Sequence, residues 1–362
     1  MKVMAINSSL RAGSGESKTE LMLNSLLEGM RQAGAEVELV NLRDKKIRYC
    51  TGCFTCWTKT PGKCIHKDDM TNELFPQWLE SDLAIYATPL FDFTITANMK
   101  AFIERILPAL EPFFAENENG ATYHPIRHEM PASVMLSVAG LPEMHIFDPL
   151  SAWARYIFQD SLKAEIYRPA AELMTTPLGK RKAPAVLQAT EQAGREIIEK
   201  GAVSDQTMQA LTQPIADKKD IAAMVNMFWR TCLDHGVTPK EANEQKLLPQ
   251  PKTLEDLVLL LPLGFNGEAA GDLEAVIQYD FSGPVEGSCH FSIAGGQMNG
   301  SVGPADDPTL TIATDFDLWL DVMAGKVDGQ EVFMQGKASA SGDLGLLMRF
   351  SQLFGQAQPR NL

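Results

Sequence analysis

The fold is decided by residues 2–19, which read KVMAINSSLRAGSGESKT. The apolar run from Lys2 to Ile6 is typical of a buried strand, and it ends in a polar loop rich in serine and glycine. Leucines and methionines then recur every three or four residues from Leu21 to Met30, which predicts an amphipathic helix. A buried strand that leads through a loop into a helix is the repeating unit of parallel sheets.

The same alternation continues beyond this first unit. Further apolar strands are predicted at residues 37–40, 83–87, 132–137 and 164–167. A helical stripe from Met99 to Leu110 follows the third strand. Strands that are apolar on both faces and alternate with amphipathic helices predict an α/β fold, in which a doubly wound parallel sheet carries helices on both sides.

The rest of the chain has a different pattern. Residues 201–235 are predicted to form a helical extension, and residues 236–252 a polar linker with three prolines. Residues 253–362 alternate apolar and polar positions from Ala275 to Phe281, which predicts antiparallel strands in a separate α+β domain. Residues 1–200 therefore form the predicted α/β domain.

Composition and charge exclude several functions. The 362 residues carry a net charge of −14, and residues 251–362 alone hold 5 basic and 15 acidic residues. An acidic chain without a basic block is a poor partner for nucleic acid or an anionic membrane. The chain lacks an apolar run long enough for a membrane helix, so we expect a cytoplasmic protein without stable membrane insertion.

The loop after the first strand is a candidate phosphate site. Backbone N–H groups of a serine- and glycine-rich loop and the positive end of the next helix together bind anions. The hydroxyls of Ser9, Ser17 and Thr19 are available to donate further hydrogen bonds. The loop has neither a Walker lysine nor a G-x-G-x-x-G pattern, which disfavours ATP or a dinucleotide there. The alternative is an ordinary polar loop in which Ser17 caps the helix.

A second loop, Pro89 to Phe93, follows the third strand and carries two phenylalanines. Phe91 and Phe93 offer flat apolar surface for a ring system, and the backbone amides offer hydrogen bonds to its nitrogen and oxygen atoms. The alternative is a turn whose aromatic rings pack locally.

Four cysteines cluster within fifteen residues, at Cys50, Cys53, Cys56 and Cys64. The two-residue gaps aim successive thiolates at one centre, as a 4Fe-4S cluster requires. A structural zinc, a redox dithiol of Cys53 and Cys56, and reduced unliganded thiols are the alternatives. The six histidines have no metal-binding spacing.

Residues 87–105, ATPLFDFTITANMKAFIER, resemble the flavin-contacting segment of the NADPH-dependent FMN reductase and flavodoxin-like family. Ser137 to Pro142 matches the family's second ring-side loop, whereas Asn7 to Leu10 replaces its more common G-S-P. The resemblance covers about residues 1–200 and implies a flavodoxin-like fold, FMN, NAD(P)H as reductant, and a homodimer or higher homo-oligomer. Flavin chemistry needs no catalytic side chain.

The resemblance also implies two sets of cofactor contacts. The phosphate would be held by Ser9, Arg11, Ser17, Lys18 and Thr19. The ring would be lined by Pro89, Leu90, Phe91, Asp92, Phe93 and Gly140. The cysteine spacing, with Asp68 to Met70 after it, resembles the iron-sulfur flavoprotein branch of the same superfamily. That resemblance implies a cluster near the flavin that exchanges single electrons with it.

Residues 253–355 resemble the sterol carrier protein 2 family in the order of their strands, glycines and apolar helices. The resemblance implies a domain that binds sterols, acyl chains or similar apolar ligands. The alternative is a solid core that serves dimerisation or scaffolding.

Together these features predict an FMN-dependent NAD(P)H oxidoreductase that relays electrons to a small-molecule or protein acceptor and carries an apolar-ligand domain. The alternatives are a non-enzymatic electron carrier and a redox-sensing lipid-binding protein.

Overall fold

The computed structural model describes residues 1–118 and 120–354. The chain divides into a first unit, Met1–Ala216, and a second unit, Asp217–Leu362. Residues 236–252, the predicted linker, include the short helix Pro239–Glu244. The predicted domain boundaries at 200, 235 and 252 stay predictions, and residues 355–362 of the predicted C-terminal domain lie outside the described residues.

The strands of the first unit are β1 (Lys2–Asn7), β2 (Glu36–Asn41), β3 (Leu83–Pro89), the two-residue β4 (Ala115–Glu116) and β5 (Thr122–Tyr123), β6 (Ala132–Val138) and β7 (Leu162–Arg168). Its α-helices are α1 (Lys18–Gln32), α2 (Phe75–Glu80), α3 (Ala97–Glu104), α4 (Asp148–Phe158), α5 (Ala183–Lys200) and α6 (Asp205–Thr212). Short 3-10 turns lie at Leu42–Asp44, Leu107–Ala109, Met144–Phe147, Gln159–Ser161 and Ala171–Thr175, and a π-helical turn, Met70–Leu74, leads into α2.

The main sheet of the first unit has the strand order β2-β1-β3-β6-β7, and all neighbouring strands are parallel. This is the flavodoxin-like order, so the predicted fold class is confirmed. The strand β2 lies on one side of β1 and the later strands lie on the other, so the order of strand addition reverses between β1 and β3. Ligands of such sheets bind at that switch point. The loop after β1 starts at this point beside β3, because the Ser8 amide donates to the Ala87 carbonyl of β3 at 2.9 Å.

Helices α1 and α5 cross in close contact through two glycines. A Cβ atom added to Gly194 would overlap the carbonyl oxygen of Leu26, and one added to Gly29 would overlap that of Glu191. The two helices therefore pack backbone against backbone at these positions. Each glycine is needed because the main chain of the other helix leaves no room for a side chain.

Replacing Gly194 with alanine is expected to lower the free energy of unfolding by about 1–3 kcal/mol, because backbone must move to admit the methyl group. The loss occurs although alanine favours a helix over glycine by about 1 kcal/mol. Urea titration measures the effect. Gln188→Ala, an exposed change on the same helix, is the matched control, and an equal effect of both variants would contradict the packing argument.

The second unit begins with the helices α7 (Lys218–His235), α8 (Pro239–Glu244), α9 (Leu254–Leu260) and α10 (Gly267–Ala270). A 3-10 turn at Leu261–Gly264 follows α9. The remaining elements are β8 (Ala275–Ser282), β9 (Gly287–Ala294), β10 (Gln297–Val302), β11 (Leu310–Asp315), α11 (Phe316–Met323), α12 (Gly329–Met334), β12 (Ala338–Gly342), α13 (Leu344–Met348) and α14 (Phe350–Leu353).

The sheet of the second unit has the order β10-β9-β8-β11-β12. Strands β8, β9 and β10 pair antiparallel as predicted, whereas β11 pairs parallel with β8. One face of β8 is buried under α11: Tyr279 stacks on Phe281, and both rings meet the edge of Trp319. A sheet with helices on its buried face is an α+β unit, so this part of the fold class is confirmed as well.

No helix in the described part of the chain combines the length and the apolar character that a membrane span requires.

Candidate functional site

The loop after β1 is organised by two buried serines. Ser17 caps α1, because its hydroxyl accepts a hydrogen bond from the Glu20 amide at 3.1 Å. The same hydroxyl donates to the Ser9 hydroxyl at 2.9 Å. Thr19 is buried in the first turn of the helix. Capping therefore occurs, and it holds Ser9 and Ser17 together at the positive end of α1.

The loop backbone already binds an anionic group of the chain itself. The Gly13 amide donates to both carboxylate oxygens of Glu20, at 3.1 and 2.8 Å. Gly13 and Gly15 have positive φ angles of 75° and 76°, which side chains disfavour, and nothing lies within 4 Å of either Cβ position. The loop is thus shaped to present N–H groups to a negative charge beside open space.

The two cations predicted to hold the phosphate share one carboxylate. Arg11 pairs with Glu172 at 3.0 Å, and the ammonium of Lys18 lies 3.9 Å from the other oxygen of that carboxylate. Glu172 follows β7 and was not singled out by the sequence, because 161 residues separate it from Arg11. It brings the loop after β7 to the loop after β1.

The aromatic loop after β3 is a strained two-residue turn. Phe91 and Thr94 exchange backbone hydrogen bonds of 3.1 and 3.0 Å around Asp92 and Phe93. These two residues have positive φ angles of 48° and 61°. A phenylalanine rarely adopts this conformation, and such strain of about 1–3 kcal/mol collects at functional sites. The turn leaves the side chains of Phe91 and Phe93 about half exposed, at 54% and 48%.

The ends of β3 and β6 bring together the residues that are predicted to line the flavin ring. The Leu90 amide donates to the Val138 carbonyl at 2.9 Å, which places the turn beside the end of β6. Pro89 and Leu90 are half-buried, and Leu90 packs on the core. Gly140 follows β6 on the exposed side. The predicted ring residues thus lie on two adjacent loops.

Helix α3 connects the ring loop to the phosphate loop. Thr96 caps α3, and its hydroxyl donates to the Ser8 hydroxyl at 2.8 Å. The Asn98 side-chain amide donates to the Ser8 carbonyl at 3.2 Å. Sequence reasoning did not single out these three residues, although a threonine before a helical stripe is a recognisable capping signal.

The four clustered cysteines line one small cavity of about 20 Å³ that is partly open to solvent. Cys56 is buried, Cys50 and Cys64 are half-buried, and Cys53 is exposed. Arg105, Leu107 and Pro108, which follow α3, complete the wall. The local fold thus brings together the four residues that the spacing predicted as a ligand set.

The surroundings of these thiols differ. Hydrogen bonding to Thr55 lowers the pKa of the exposed Cys53 thiol. Burial, and after it the neighbouring Cys64, raises the pKa of Cys56. The backbone on either side of Cys53 turns through positive φ angles at Gly52 and Phe54, of 64° and 53°. One buried and one exposed thiol at a shared cavity give the site an inner wall and an opening.

A buried ion pair lies beneath the cysteine loop. Arg105 donates to both carboxylate oxygens of Asp68, at 2.7 and 3.0 Å, and both side chains are almost fully buried. Burial alone would lower the pKa of Arg105, but Asp68 and then Cys64 raise it, so the guanidinium stays charged. Asp68 also accepts from the amides of Arg48 and Thr71. The pair is not apparent from the sequence, because 37 residues separate its two members.

The donor set fits an iron-sulfur cluster by its chemistry. Thiolate ligands are what such clusters require, and a cation beside them offsets negative charge. Across residues 1–118 and 120–354, no three His, Cys, Asp or Glu side chains converge on a position for a single metal ion.

A wider surface groove runs along α4 and β7, and none of the predicted site residues lines it. Glu165 accepts there from Arg155 at 2.7 Å and from the Tyr167 hydroxyl at 3.0 Å. The carboxylate, the guanidinium and the phenol satisfy one another. The groove is separate from the loops predicted to bind flavin and from the cysteine cavity, because none of their predicted residues lines it.

Two family models match separate parts of the chain. Residues 1–125 match the family model of NADPH-dependent FMN reductases, and residues 265–355 match that of the SCP-2 sterol transfer family. The two resemblances inferred from the sequence are thereby confirmed over these residues.

The first part also has curated relatives. An iron-sulfur flavoprotein of Archaeoglobus fulgidus is 44% identical over 108 residues, which make up 30% of this chain and 46% of that protein. An iron-sulfur flavoprotein of Methanocaldococcus jannaschii is 34% identical over 105 residues, 29% of this chain and 50% of that protein. The chain spans about half the length of the curated relatives it matches.

Among solved structures, an FMN-dependent NADH-azoreductase of Bacillus anthracis in complex with FMN superposes with a TM-score of 0.42. It is 13% identical and covers 55% of this chain and 99% of its own.

Proposed function

We propose that the chain is an FMN-dependent NAD(P)H oxidoreductase that relays electrons through a cluster held by Cys50, Cys53, Cys56 and Cys64. The observation that supports this proposal is that the loops carrying the two candidate sites contact opposite ends of α3. Its N-terminal end contacts the phosphate loop through Ser8, and its C-terminal end continues into the cysteine cavity at Arg105. An eight-residue helix is about 12 Å long, which is a short separation for electron transfer.

The first unit supplies binding and orientation. The loop amides, with Ser9, Arg11, Ser17, Lys18 and Thr19, hold the phosphate of FMN. The turn from Pro89 to Phe93, with Gly140, lines the ring. When bound, FMN would supply hydride acceptance from NAD(P)H and single-electron transfer, and these residues would hold and orient it. The apolar faces of Phe91 and Phe93 exclude water from one side of the ring.

The second unit takes an apolar ligand in this proposal. Its match to the SCP-2 family and the helices packed over one face of its sheet support that role. The Tyr279 hydroxyl is fully buried and has no hydrogen-bond partner among the described residues, and burial raises the pKa of this phenol. Displacement of a fluorescent fatty acid from the purified protein tests whether the second unit binds an apolar ligand. The absence of any binding would leave a dimerisation or scaffolding role.

The electron acceptor is a small molecule or another protein, and the active species is a homodimer or higher homo-oligomer. Both statements rest on family resemblance. The cytoplasmic location that we propose rests on the sequence. Sedimentation of the FMN-loaded protein measures the oligomeric state.

The proposed function is tested by the absorption spectrum of protein purified without oxygen, with iron and sulfide assays on the same sample. We expect flavin bands, broad absorption near 400 nm and about four irons per chain. Cys56→Ser should lose the iron and keep the flavin, whereas Cys232→Ser, a buried cysteine of the second unit, should keep both. Flavin without iron would reduce the proposal to an FMN reductase. The absence of both flavin and iron would overturn it.

The alternative of a pure electron carrier is distinguished by kinetics. NADH and NADPH should reduce the FMN-loaded protein rapidly if it is an enzyme. Slow reduction by both nucleotides, together with fast reduction by a one-electron donor protein, would instead favour a carrier.

Replacing Glu172 with glutamine is expected to raise FMN affinity by up to about fivefold, because Arg11 and Lys18 are released to pair with the phosphate. The size follows from exposed ion pairs, which contribute at most about 1 kcal/mol each. Quenching of flavin fluorescence at low ionic strength measures the change. Glu28→Gln, which frees Arg31 elsewhere on α1, is the control, and a fall in affinity for Glu172→Gln would contradict the phosphate assignment.

A further inference from the structure

Arg105 connects the two ends of the cysteine segment, residues 48–68, to helix α3. Its guanidinium donates to the Arg48 carbonyl at 2.6 Å, just before Cys50, and to Asp68, just after Cys64. It also donates to the Thr71 hydroxyl at 2.8 Å in the π-helical turn. One side chain therefore closes the base of the loop that carries all four thiols.

The same guanidinium reaches the cavity itself. Arg105 lines it together with the four cysteines and interacts electrostatically with Cys64. Its Nε–H is buried and has no hydrogen-bond partner among the described residues. A buried N–H without a partner costs free energy, which a sulfur acceptor placed in the cavity would recover.

We propose that Arg105 is a positioning residue that holds the cysteine segment ready for a cluster and, through its charge, makes that cluster easier to reduce. This inference rests on the proposed function for its second half. Reduction adds one electron to the cluster, and a positive charge at contact distance stabilises the more negative, reduced form. Net charge and hydrogen bonds to the sulfurs are the factors that set cluster potentials.

Asp68 acts in the opposite sense. Its carboxylate fixes the guanidinium by two hydrogen bonds, but unlike Arg105 it does not line the cavity. Removing the carboxylate charge should therefore favour the reduced cluster, whereas removing the guanidinium charge should disfavour it. A merely structural pair would not produce opposite shifts.

The test uses the full chain with four variants: Arg105→Lys, Arg105→Gln, Asp68→Asn, and the double variant Asp68→Asn with Arg105→Gln. The double variant leaves no unpaired buried charge, so it can replace Arg105→Gln in the test if that single variant fails to fold. Arg31→Gln removes one positive charge from the exposed face of α1, away from the cavity lining, and is the matched control.

Two readouts are taken. Hydrogen exchange of residues 48–68 before iron loading should become faster in Arg105→Gln and in Arg105→Lys, because neither side chain can bridge Arg48 and Asp68 as a fork. After anaerobic loading, Arg105→Gln should lose iron about 10- to 100-fold faster than the wild type. Its midpoint potential should be more negative, that of Asp68→Asn more positive, and that of Arg105→Lys close to the wild type.

The outcomes separate this inference from the proposed function. If the wild-type chain takes up no iron, the proposed cluster fails, and hydrogen exchange alone decides whether Arg105 orders the segment. If iron is bound but Arg105→Gln changes neither exchange nor potential, or Arg31→Gln shifts both equally, the role assigned to Arg105 is wrong.

Discussion

Asp68→Ala is expected to lower the free energy of unfolding by about 3–5 kcal/mol, because it leaves the buried guanidinium of Arg105 without a counter-charge. The loss should exceed that of an ordinary surface pair because the side chains of both partners are no more than 3% exposed. Two backbone amides, those of Arg48 and Thr71, lose their acceptor as well. Urea titration at neutral pH, with the metal-free protein, measures the change.

Asp69→Ala provides the matched control. The neighbouring carboxylate accepts one hydrogen bond from the Lys46 amide at 2.7 Å and forms no buried ion pair with any residue that the structure describes. Its removal should cost only about 1 kcal/mol. Equal losses for the two variants would show that the Asp68–Arg105 pair does not hold this part of the fold.

The same pair predicts how stability depends on pH. Burial alone would raise the pKa of Asp68, but hydrogen bonds from Arg105 and from two amides hold this pKa well below its usual range. A carboxylate with a lowered folded pKa contributes its full stability above its unfolded pKa of about 3.9 and loses it as the pH falls. The advantage of the wild type over Asp68→Asn should therefore be constant near neutral pH and shrink below about pH 4.

The sequence was sufficient for the features that depend on local patterns. Apolar runs followed by amphipathic stripes predicted the parallel sheet, and alternating residues such as Tyr279 and Phe281 predicted the one-faced sheet of the second unit. The cysteine spacing predicted that four thiols share one cavity. These features are periodic or adjacent in the chain, so they can be recognised without knowledge of the fold.

Features that depend on long-range contacts could not be predicted in the same way. Asp68 and Arg105 lie 37 residues apart, and Ser8 and Thr96 lie 88 residues apart. Nothing in the spacing of either pair indicates that the residues meet. The positive φ of Phe93 was equally hidden, because such turns usually contain glycine or asparagine and are recognised by those residues.

Phe93→Gly is expected to weaken FMN binding by about 10- to 100-fold, because a stacking contact with a planar ring contributes about 1–3 kcal/mol. The same change should stabilise the first unit by about 1 kcal/mol. Glycine relieves the strain of the positive φ, and part of that gain is offset by the greater freedom of glycine in the unfolded chain. Flavin titration and urea denaturation of the flavin-free protein measure the two effects.

Gln159→Gly separates strain from function, since Gln159 is another non-glycine residue of the first unit with a positive φ, of 43°. It follows α4 and is not among the predicted flavin contacts. This control should gain stability and leave FMN affinity unchanged. Opposite signs for stability and affinity in Phe93→Gly alone would mean that the chain maintains a strained turn because the ring at this position binds the cofactor. If Phe93→Gly gains stability and binds FMN as tightly as the wild type, Phe93 does not contact the flavin.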